Sequence, residues 1–316
     1  MRLWNLKTIL YNSEFKNIWD EFVDNSKNGT FMLKRDYMDY HSDRFKDFSL
    51  MFYEDEKLIA IMPNSIHNDE IRSHGGLTYG GIVTNRKMTA RKMLDLFSSM
   101  KEFLKENGIK KVIYKAIPSF YHLYPSDEDM YALFRNNAKL IRRDISTTIL
   151  MEDKIKFSDL RRRGAKKALK NGLEVKTSED WEEYINLLAK VLEEHHGTKP
   201  VHSADEIKKL ADNFPNNIKL YCAYDKENKM YAGVVIFDTK QTAHAQYIAN
   251  SNEGREIGAL DLVFDYLINQ EYKDKKFFDF GISNEHGGLI LNNGLISQKE
   301  GFGGRGVVYD FYEMEI

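Results

Sequence analysis

The feature that most constrains the fold is an internal repeat of strands, turns and one long amphipathic helix. In the first half, the hydrophobic pattern predicts strands at residues 48–53, 58–66 and 71–83, a helix at 88–107 and a strand at 111–114. The second half repeats this order, with strands at 218–224, 230–237 and 243–249, a helix at 258–272 and a strand at 277–280. The first strands and the long helices lie about 170 residues apart, and the last strands lie about 166 residues apart, which indicates a duplicated α/β unit.

Each copy of the repeat implies a particular kind of sheet. An antiparallel set of strands is followed by a strand, a loop, a helix and a further strand. Because a helix crosses over between the last two strands, they should be parallel, and the sheet should be mixed. Further helices are predicted at 14–25, 181–196 and 204–213. We therefore expect an α/β (α+β) fold of two tandem domains, 1–152 and 153–316, each with a mixed, largely antiparallel sheet and flanking helices.

Composition limits the classes of function. The chain has 316 residues, of which 46 are Lys or Arg and 48 are Asp or Glu, so nucleic-acid or membrane binding would need a local basic patch. The lone cysteine, Cys222, excludes an internal disulfide and favours a reducing compartment. No apolar run is long enough for a membrane helix, and the N-terminus lacks the apolar region of a signal peptide. We expect a cytoplasmic protein without a membrane span.

A small-residue loop precedes the second crossover helix. Gly258 and Ala259 would place backbone N–H groups at a helix start, and Arg255 adds a cation, so together they could hold a pyrophosphate. The loop resembles the R/Q-x-x-G-x-G/A loop that binds acyl-CoA in the GNAT acetyltransferases, although Leu260 stands where that pattern has Gly or Ala.

The C-terminal segment 293–305 contains four glycines within residues 294–304. It resembles the G-x-x-x-F-K-x-G-F-G signature of the FemAB peptidyltransferases, through Gly294, Lys299, Gly301, Phe302 and Gly303. The resemblance makes Lys299 a candidate catalytic residue and Phe302 a candidate substrate contact. A glycine-rich turn into the last strand would account for the glycines, but not for the order Lys-x-Gly-Phe-Gly.

The segment 159–172 reads as a basic helix closed by a glycine. Arg163, Lys166 and Lys170 lie on one face of it. It is similar to the segment that opens the second domain of FemAB proteins, near the cleft that takes nucleotide-linked substrates. The resemblance makes these three residues candidate contacts to a diphosphate; a merely solvated basic face is the alternative.

A second glycine-rich segment, 73–84, is loosely similar to the P-R-G-P-V-x-D stretch of the first FemAB domain. Tyr79 in this segment is a candidate substrate contact. Thr84 stands where that family has an aspartate, which weakens the case for a peptidoglycan amine as the acceptor. The paired glycines are also compatible with simple bulges.

Three of the nine histidines cluster at 195, 196 and 202. Their spacing does not match common zinc sites, so we predict no metal. A neutral histidine is suited to accept a proton from an attacking amine near pH 7, which makes His202 and His196 the candidate bases. His244, on an inner strand, is interpreted as a core histidine.

The resemblance to FemAB and GNAT proteins covers nearly the whole chain and implies a double-GNAT fold. It implies direct acyl transfer in the cleft between the domains, with backbone N–H groups near Ile248 and Ala249 holding the oxyanion. Acyl-CoA is the favoured donor, and the amine of a nucleotide-linked amino sugar for cell-surface polysaccharide is the favoured acceptor. Two alternatives remain: an aminoacyl-tRNA-dependent transferase acting on a peptidoglycan precursor, and a non-catalytic protein that binds a nucleotide ligand. Acyl chain and oligomeric state are left open.

Overall fold

Both copies of the repeat form sheets covered by helices. The computed structural model describes residues 6–316, apart from the side chains of residues 195 and 196. The chain divides into two compact units: Met1–Asp144 with Val308–Ile316, and Ile145–Val307. The strands that begin in the first unit are β1 (Leu6–Leu10), β2 (Leu50–Glu54), β3 (Lys57–Met62), β4 (Ser65–His67), β5 (Glu70–Arg72), β6 (Val83–Thr84), β7 (Lys111–Lys115) and β8 (Lys139–Leu150). Its helices are α1 (Lys16–Asn25), α2 (Arg35–Met38), α3 (Ala90–Glu106) and α4 (Glu128–Arg135).

The second unit contains the other elements. Its helices are α5 (Asp159–Lys170), α6 (Trp181–His196), α7 (Ala204–Asn213), α8 (Asn252–Ile257), α9 (Ala259–Tyr266) and α10 (Asn293–Gly301). Its strands are β9 (Glu174–Ser178), β10 (Ile218–Tyr224), β11 (Met230–Asp238), β12 (Thr242–Asn250), β13 (Phe277–Ile282), β14 (Asn284–Glu285) and β15 (Ile290–Leu291). The last strand, β16 (Arg305–Glu315), begins in the second unit and ends in the first. A π-turn at Leu267–Glu271 extends α9.

In the first unit, β1, β2, β3 and β6 form one antiparallel sheet. Strands β5 and β7, on either side of α3, are parallel, as a crossover helix requires. The predicted apolar stripe of α3 is buried: Met93, Phe97, Met100 and Leu104 all lie in the core of this unit. These residues explain why α3 forms, because the stripe follows the helical period and packs on the sheet.

In the second unit, the strand order is β8, β13, β12, β11, β10, β9. Strands β12 and β13 flank α8 and α9 and are parallel, whereas the other neighbouring pairs are antiparallel. The core of this unit joins one face of the sheet to α5 and α9, through Ala168, Val263 and Phe264 among others. The predicted fold class, a mixed α/β sheet with flanking helices in each copy, is confirmed.

Two details differ from the sequence prediction. The predicted third strand at 71–83 is interrupted: β5 ends at Arg72, and Val83 begins β6. Gly81 lies between them at φ +80°, outside the β region, and its backbone packs against the ring of Tyr114. In addition, the last strand returns to the first unit, since Phe311–Glu315 pairs with β7. The proposed boundary at 152/153 did not anticipate this long-range pairing.

Candidate functional site

Strands β12 and β13 separate after a short paired stretch. Their parallel pairing begins at Thr242 with Phe277 and ends at His244 with Asp279. Beyond this point β12 continues to pair with β11, while β13 pairs with β8. In the part of the chain that the structure describes, the edge of β12 from 245 to 250 therefore has no strand partner on the side of β13.

A β-bulge lies directly after the point of separation. Ala245 is opposite Ile236 and Tyr247 is opposite Val235, so Gln246 has no counterpart on β11. A bulge re-aims the local backbone and is frequent beside active sites. The side-chain oxygen Oε1 of Gln246 is buried, with no hydrogen-bond partner among the described groups, which exclude the side chains of residues 195 and 196. The bulge thus places polar groups at the mouth of the separation.

The residues predicted to hold the oxyanion lie next to this bulge. Ile248 pairs with Val234 and Ala249 with Gly233, both through β11. Ala249 is buried, and Ile248 packs on the core of the second unit. Their side chains face packed neighbours, so any contact to a ligand would come from the free backbone edge of β12.

A buried hydrogen-bond network occupies the base of the separation. His244 Nδ1 lies 2.6 Å from Asp279 Oδ2, and the other carboxylate oxygen accepts hydrogen bonds from Ser146 Oγ at 2.6 Å and Thr148 Oγ1 at 2.8 Å. Burial acts to raise the pKa of Asp279, but the hydrogen bonds from His244, Ser146 and Thr148 outweigh it and lower that pKa. The carboxylate is therefore ionised and held by three donors.

Lys299, a predicted catalytic residue, reaches the same region from α10. Its Nζ donates hydrogen bonds to the carbonyl oxygens of Gly281 at 2.8 Å and Ile282 at 2.7 Å. The residue is 4% exposed. Burial lowers the pKa of Lys299 to about 8, although the negative charge of Asp279 opposes this shift. The ammonium thus caps the end of β13 close to the His244–Asp279 pair.

The lowered pKa predicts a characteristic pH dependence of stability. Between pH 8 and the ordinary lysine value of 10.5, the unfolded chain holds more protons on Lys299 than the folded chain does. The stability contributed by this group should therefore rise with pH in that window, by about 1–3 kcal/mol. We expect urea titrations at pH 7.5 and 10 to show wild-type protein gaining stability relative to Lys299→Met. A difference that stays constant across this range would contradict the shifted pKa.

The crossover helix starts earlier than the sequence suggested. Ser251 caps α8 by accepting a hydrogen bond from the N–H of Gly254, and α8 is separated from α9 by Gly258 at φ +82°. The N–H of Gly258 donates to the carbonyl oxygen of Gly254, so it is not a bare donor at a helix start. Ala259 is buried, whereas Arg255 is exposed in the last turn of α8.

Gly258 instead brings the basic helix against the crossover helix. A Cβ built on Gly258 would overlap the carbonyl oxygen of Gly164 on α5 and lie 2.9 Å from its Cα. Arg161 of α5 pairs with Asp261 of α9 at 2.6 Å, and Lys167 donates to the carbonyl oxygen of Glu256 at 2.7 Å. The two sites singled out separately in the sequence are thus neighbours in the structure.

The predicted diphosphate contacts lie on the open side of α5. Arg163, Lys166 and Lys170 are all exposed, while Ala165 and Ala168 face the core. With Arg255 they form a set of positive charges around the junction of α8 and α9, which we call the basic surface. Such a surface can attract an anionic ligand.

The other predicted residues are placed differently. His202 is buried, with its Nδ1 hydrogen-bonded to the hydroxyl of Tyr247 on β12. The side chain of His196 lies outside the described residues. Tyr79 is buried in the first unit and donates a hydrogen bond to Thr30 Oγ1 at 3.0 Å. Phe302 is buried against Phe280 and other rings of the second unit.

Sequence reasoning missed the His244–Asp279 pair and the bulge at Gln246. A signal was available, because Asp279 is a single polar residue within an otherwise apolar strand, and Ser146 and Thr148 alternate on another strand. Only the strand order shows that they converge. Among the described side chains, which exclude those of residues 195 and 196, no group of three or more potential ligands is arranged to hold a metal ion. In the same part of the chain, no helix has the length and apolar character to cross a membrane.

Comparison with known proteins identifies the second unit. Residues 158–286 match the family profile described as Acetyltransferase (GNAT) domain. The second unit carries a GNAT acetyltransferase domain. The matched range runs from α5 through the separated strands to β14. The presence of this domain identifies the protein as an acyltransferase. No curated protein matches the sequence significantly.

Solved structures extend the GNAT likeness to the whole fold. FemX has a TM-score of 0.69 at 12% identity, with 98% of this chain and 97% of that chain covered. L-PGS from Bacillus licheniformis has a TM-score of 0.61 at 13% identity, covering 96% and 90%. A tandem GNAT protein from the clavulanic acid biosynthesis pathway has a TM-score of 0.51 at 10% identity, covering 98% of both chains. The whole chain thus has a FemAB-like, double-GNAT fold.

Proposed function

We propose that this GNAT protein is a cytoplasmic N-acyltransferase that moves an acyl group from acyl-CoA to the amine of a nucleotide-linked amino sugar. The product would serve cell-surface polysaccharide synthesis. The observation that carries the proposal is the separation of β12 from β13 after His244 and Asp279. It leaves a strand edge open inside a GNAT domain, beside a bulge and a buried polar network.

The open edge of β12 suits the donor. The pantetheine arm of CoA contains two amide groups in an extended chain, and an extended amide chain can hydrogen-bond to an unpaired strand edge. An acyl group placed at the bulge would have its carbonyl oxygen close to the backbone of Gln246. Backbone N–H groups aimed at that oxygen would stabilise the negative charge that develops on it.

The basic surface suits the phosphates of both substrates. Arg255 at the end of α8 and Lys166 and Lys170 on α5 are exposed cations, and the contact of Lys167 with Glu256 ties α5 to α8. Charge-assisted hydrogen bonds to phosphate are about twice as strong as neutral ones. The diphosphate of a CoA or of a nucleotide-linked sugar therefore has a matching surface in the second unit.

The chemistry is a direct transfer between the two substrates. The neutral amine attacks the thioester carbonyl, forming a C–N bond, and the C–S bond then breaks to release the CoA thiolate. Cys222 is buried, and burial raises the pKa of its thiol to about 12, which argues against a covalent acyl-cysteine intermediate. The protein's part is to position the two substrates and to hold the oxyanion.

An aminoacyl-tRNA donor is the second candidate. The exposed cations of α5 could follow an RNA backbone, and the FemX-like fold of the whole chain agrees with the FemAB resemblance. This candidate predicts binding that weakens steeply with salt and no stabilisation by CoA. The first candidate predicts the opposite response to CoA.

Thermal unfolding with CoA, an acyl-CoA series and uridine-diphosphate amino sugars tests the proposal. A ligand at 100 times its dissociation constant stabilises the folded state by about 2.7 kcal/mol, which gives a clear rise in Tm. Acyl-CoAs that raise Tm are then incubated with the amino sugars, and the acylated product is detected by mass spectrometry. Absence of both a Tm shift with CoA and transfer from any acyl-CoA would refute the proposed donor.

Charge reversal on α5 tests the basic surface. Lys166→Glu with Lys170→Glu should weaken binding of CoA or a nucleotide diphosphate about 10–100-fold at low salt, because two attractive charges become repulsive. Lys209→Glu is the matched control, since Lys209 is an exposed lysine on α7. We expect calorimetry to show no change for the control. Equal affinities for the double variant and wild-type protein would remove α5 from the proposed site.

A further inference from the structure

We infer that His244 is the general base of the transfer and that Asp279 is its positioning residue. The inference rests on the proposed function and adds a residue pair that the resemblance to GNAT and FemAB proteins did not supply. It replaces the earlier interpretation of His244 as a core histidine.

The position of His244 is the first argument. His244 and Asp279 form the last paired position before β12 and β13 separate. Ala243 and Ala245 face the core with α9, so the alternation along β12 directs His244 to the opposite face. On the same strand, the bulge at Gln246 lies two residues after His244. A group at this position is next to the place where the proposed acyl carbonyl would lie.

The tautomer is the second argument. Asp279 is ionised and can only accept hydrogen bonds, so the 2.6 Å contact requires a proton on His244 Nδ1. In the neutral ring, Nε2 then carries the lone pair. A carboxylate that holds Nδ1–H in this way fixes the orientation of the ring and stabilises the imidazolium that forms when Nε2 accepts a proton.

The support around Asp279 is the third argument. Ser146 and Thr148 donate to its other oxygen from β8, and its residue is fully buried. A buried charged group with polar partners adds little stability compared with well-packed apolar side chains of the same volume. Holding the carboxylate with three donors therefore has more value for orienting His244 than for folding.

The predicted base, His202, is less well arranged. Its Nδ1 contacts the hydroxyl of Tyr247, which can act as donor or acceptor, so this contact leaves the tautomer of His202 open. The contact of His244 with a carboxylate, in contrast, fixes the tautomer of His244. Asp279 on β13 is coupled electrostatically to His244, and the negative charge of Asp279 also acts on Lys299 of α10.

The proton balance of the step is simple. As the neutral amine forms its bond to the thioester carbon, a proton of its nitrogen passes to His244 Nε2. The C–S bond then breaks, and the imidazolium returns the proton to the CoA thiolate. The products are the amide and free CoA thiol, and the histidine is neutral again.

Single-turnover kinetics from pH 6 to 9 test the base. We expect His244→Gln to slow acyl transfer about 10²–10⁴-fold and to abolish the rise of the rate with pH, while CoA affinity stays at the wild-type value. Asp279→Asn should slow transfer and shift the pH profile without removing it. His286→Gln is the control, since His286 is an exposed histidine in the turn that follows β14. The inference would be overturned if His244→Gln kept the wild-type rates and pH profile. It would also be overturned if the rise of the rate with pH were lost in His202→Gln instead.

A second measurement uses the wild-type protein, so it does not depend on whether a variant folds. Nitrogen-15 NMR of the wild-type histidine rings should show His244 protonated at Nδ1 and unprotonated at Nε2 at pH 7. The opposite tautomer would overturn the inference. These outcomes are distinguishable from failure of the proposed function. If that function were wrong, wild-type protein would bind no CoA and transfer no acyl group.

Discussion

Replacement of Gly258 by alanine is expected to destabilise the second unit by about 2–5 kcal/mol. Two effects combine. Gly258 has φ +82°, where an L-residue is strained by about 1–2 kcal/mol. The added Cβ would also overlap the backbone of Gly164, and overpacking of this kind costs about 1–3 kcal/mol. Because Gly164 presents backbone atoms rather than a flexible side chain, the helices must move apart.

Gly172→Ala separates these two effects. Gly172 has φ +77°, but the nearest atom to its built Cβ is Lys226 Cε at 3.7 Å, an ordinary contact. This control should lose only the strain of about 1–2 kcal/mol. Thermal and urea unfolding of both variants measure the difference. Equal destabilisation would mean that α5 and α9 can separate at little cost, and it would argue against a tight junction beneath the basic surface.

Lys299→Met is expected to destabilise the protein by about 2–4 kcal/mol near pH 7. The substitution removes the donor to the carbonyl oxygens of Gly281 and Ile282. A carbonyl oxygen that loses its donor and is not reached by water costs about 1–3 kcal/mol. Relief from burying a charge offsets part of this loss, since burial lowers the pKa of Lys299. We expect the acyl-transfer rate to fall as well, because the end of β13 carries the His244–Asp279 pair.

Lys167→Met is the matched control for this substitution. Lys167 also donates to a main-chain carbonyl oxygen, that of Glu256 at 2.7 Å, but it is exposed. Water replaces the lost donor there, so the expected change is below about 0.5 kcal/mol. If both methionine variants unfold at the same urea concentration as wild-type protein, burial of Lys299 contributes nothing to the stability of β13.

Local sequence patterns predicted many of the elements closely. Helices α6 and α7 have the predicted bounds, and Ser203 with Glu206 forms a capping box at α7. The interrupted strand at 71–83 shows where this reasoning stops. Its apolar residues are compatible with a strand. The backbone conformation of Gly81, however, depends on its contact with Tyr114, which lies on another strand.

The candidate site divides in the same way. The sequence identified Lys299, the basic helix and the loop at Arg255 through the order of their residues. It did not show that Gly258 contacts Gly164, or that His244 meets Asp279. Ser146 and Asp279 are 133 positions apart, and their hydrogen bond depends on β8 lying beside β13.

The sequence by itself determined the repeat, the mixed sheet with its crossover helices, and the GNAT-like and FemAB-like motifs. These depend on periodicity and on residues close together in the chain, which act through local backbone preferences and one apolar face. Only the tertiary structure decided which polar side chains meet where β12 and β13 separate. Strand order and register set those contacts, and both arise from long-range packing of the whole sheet rather than from any single segment.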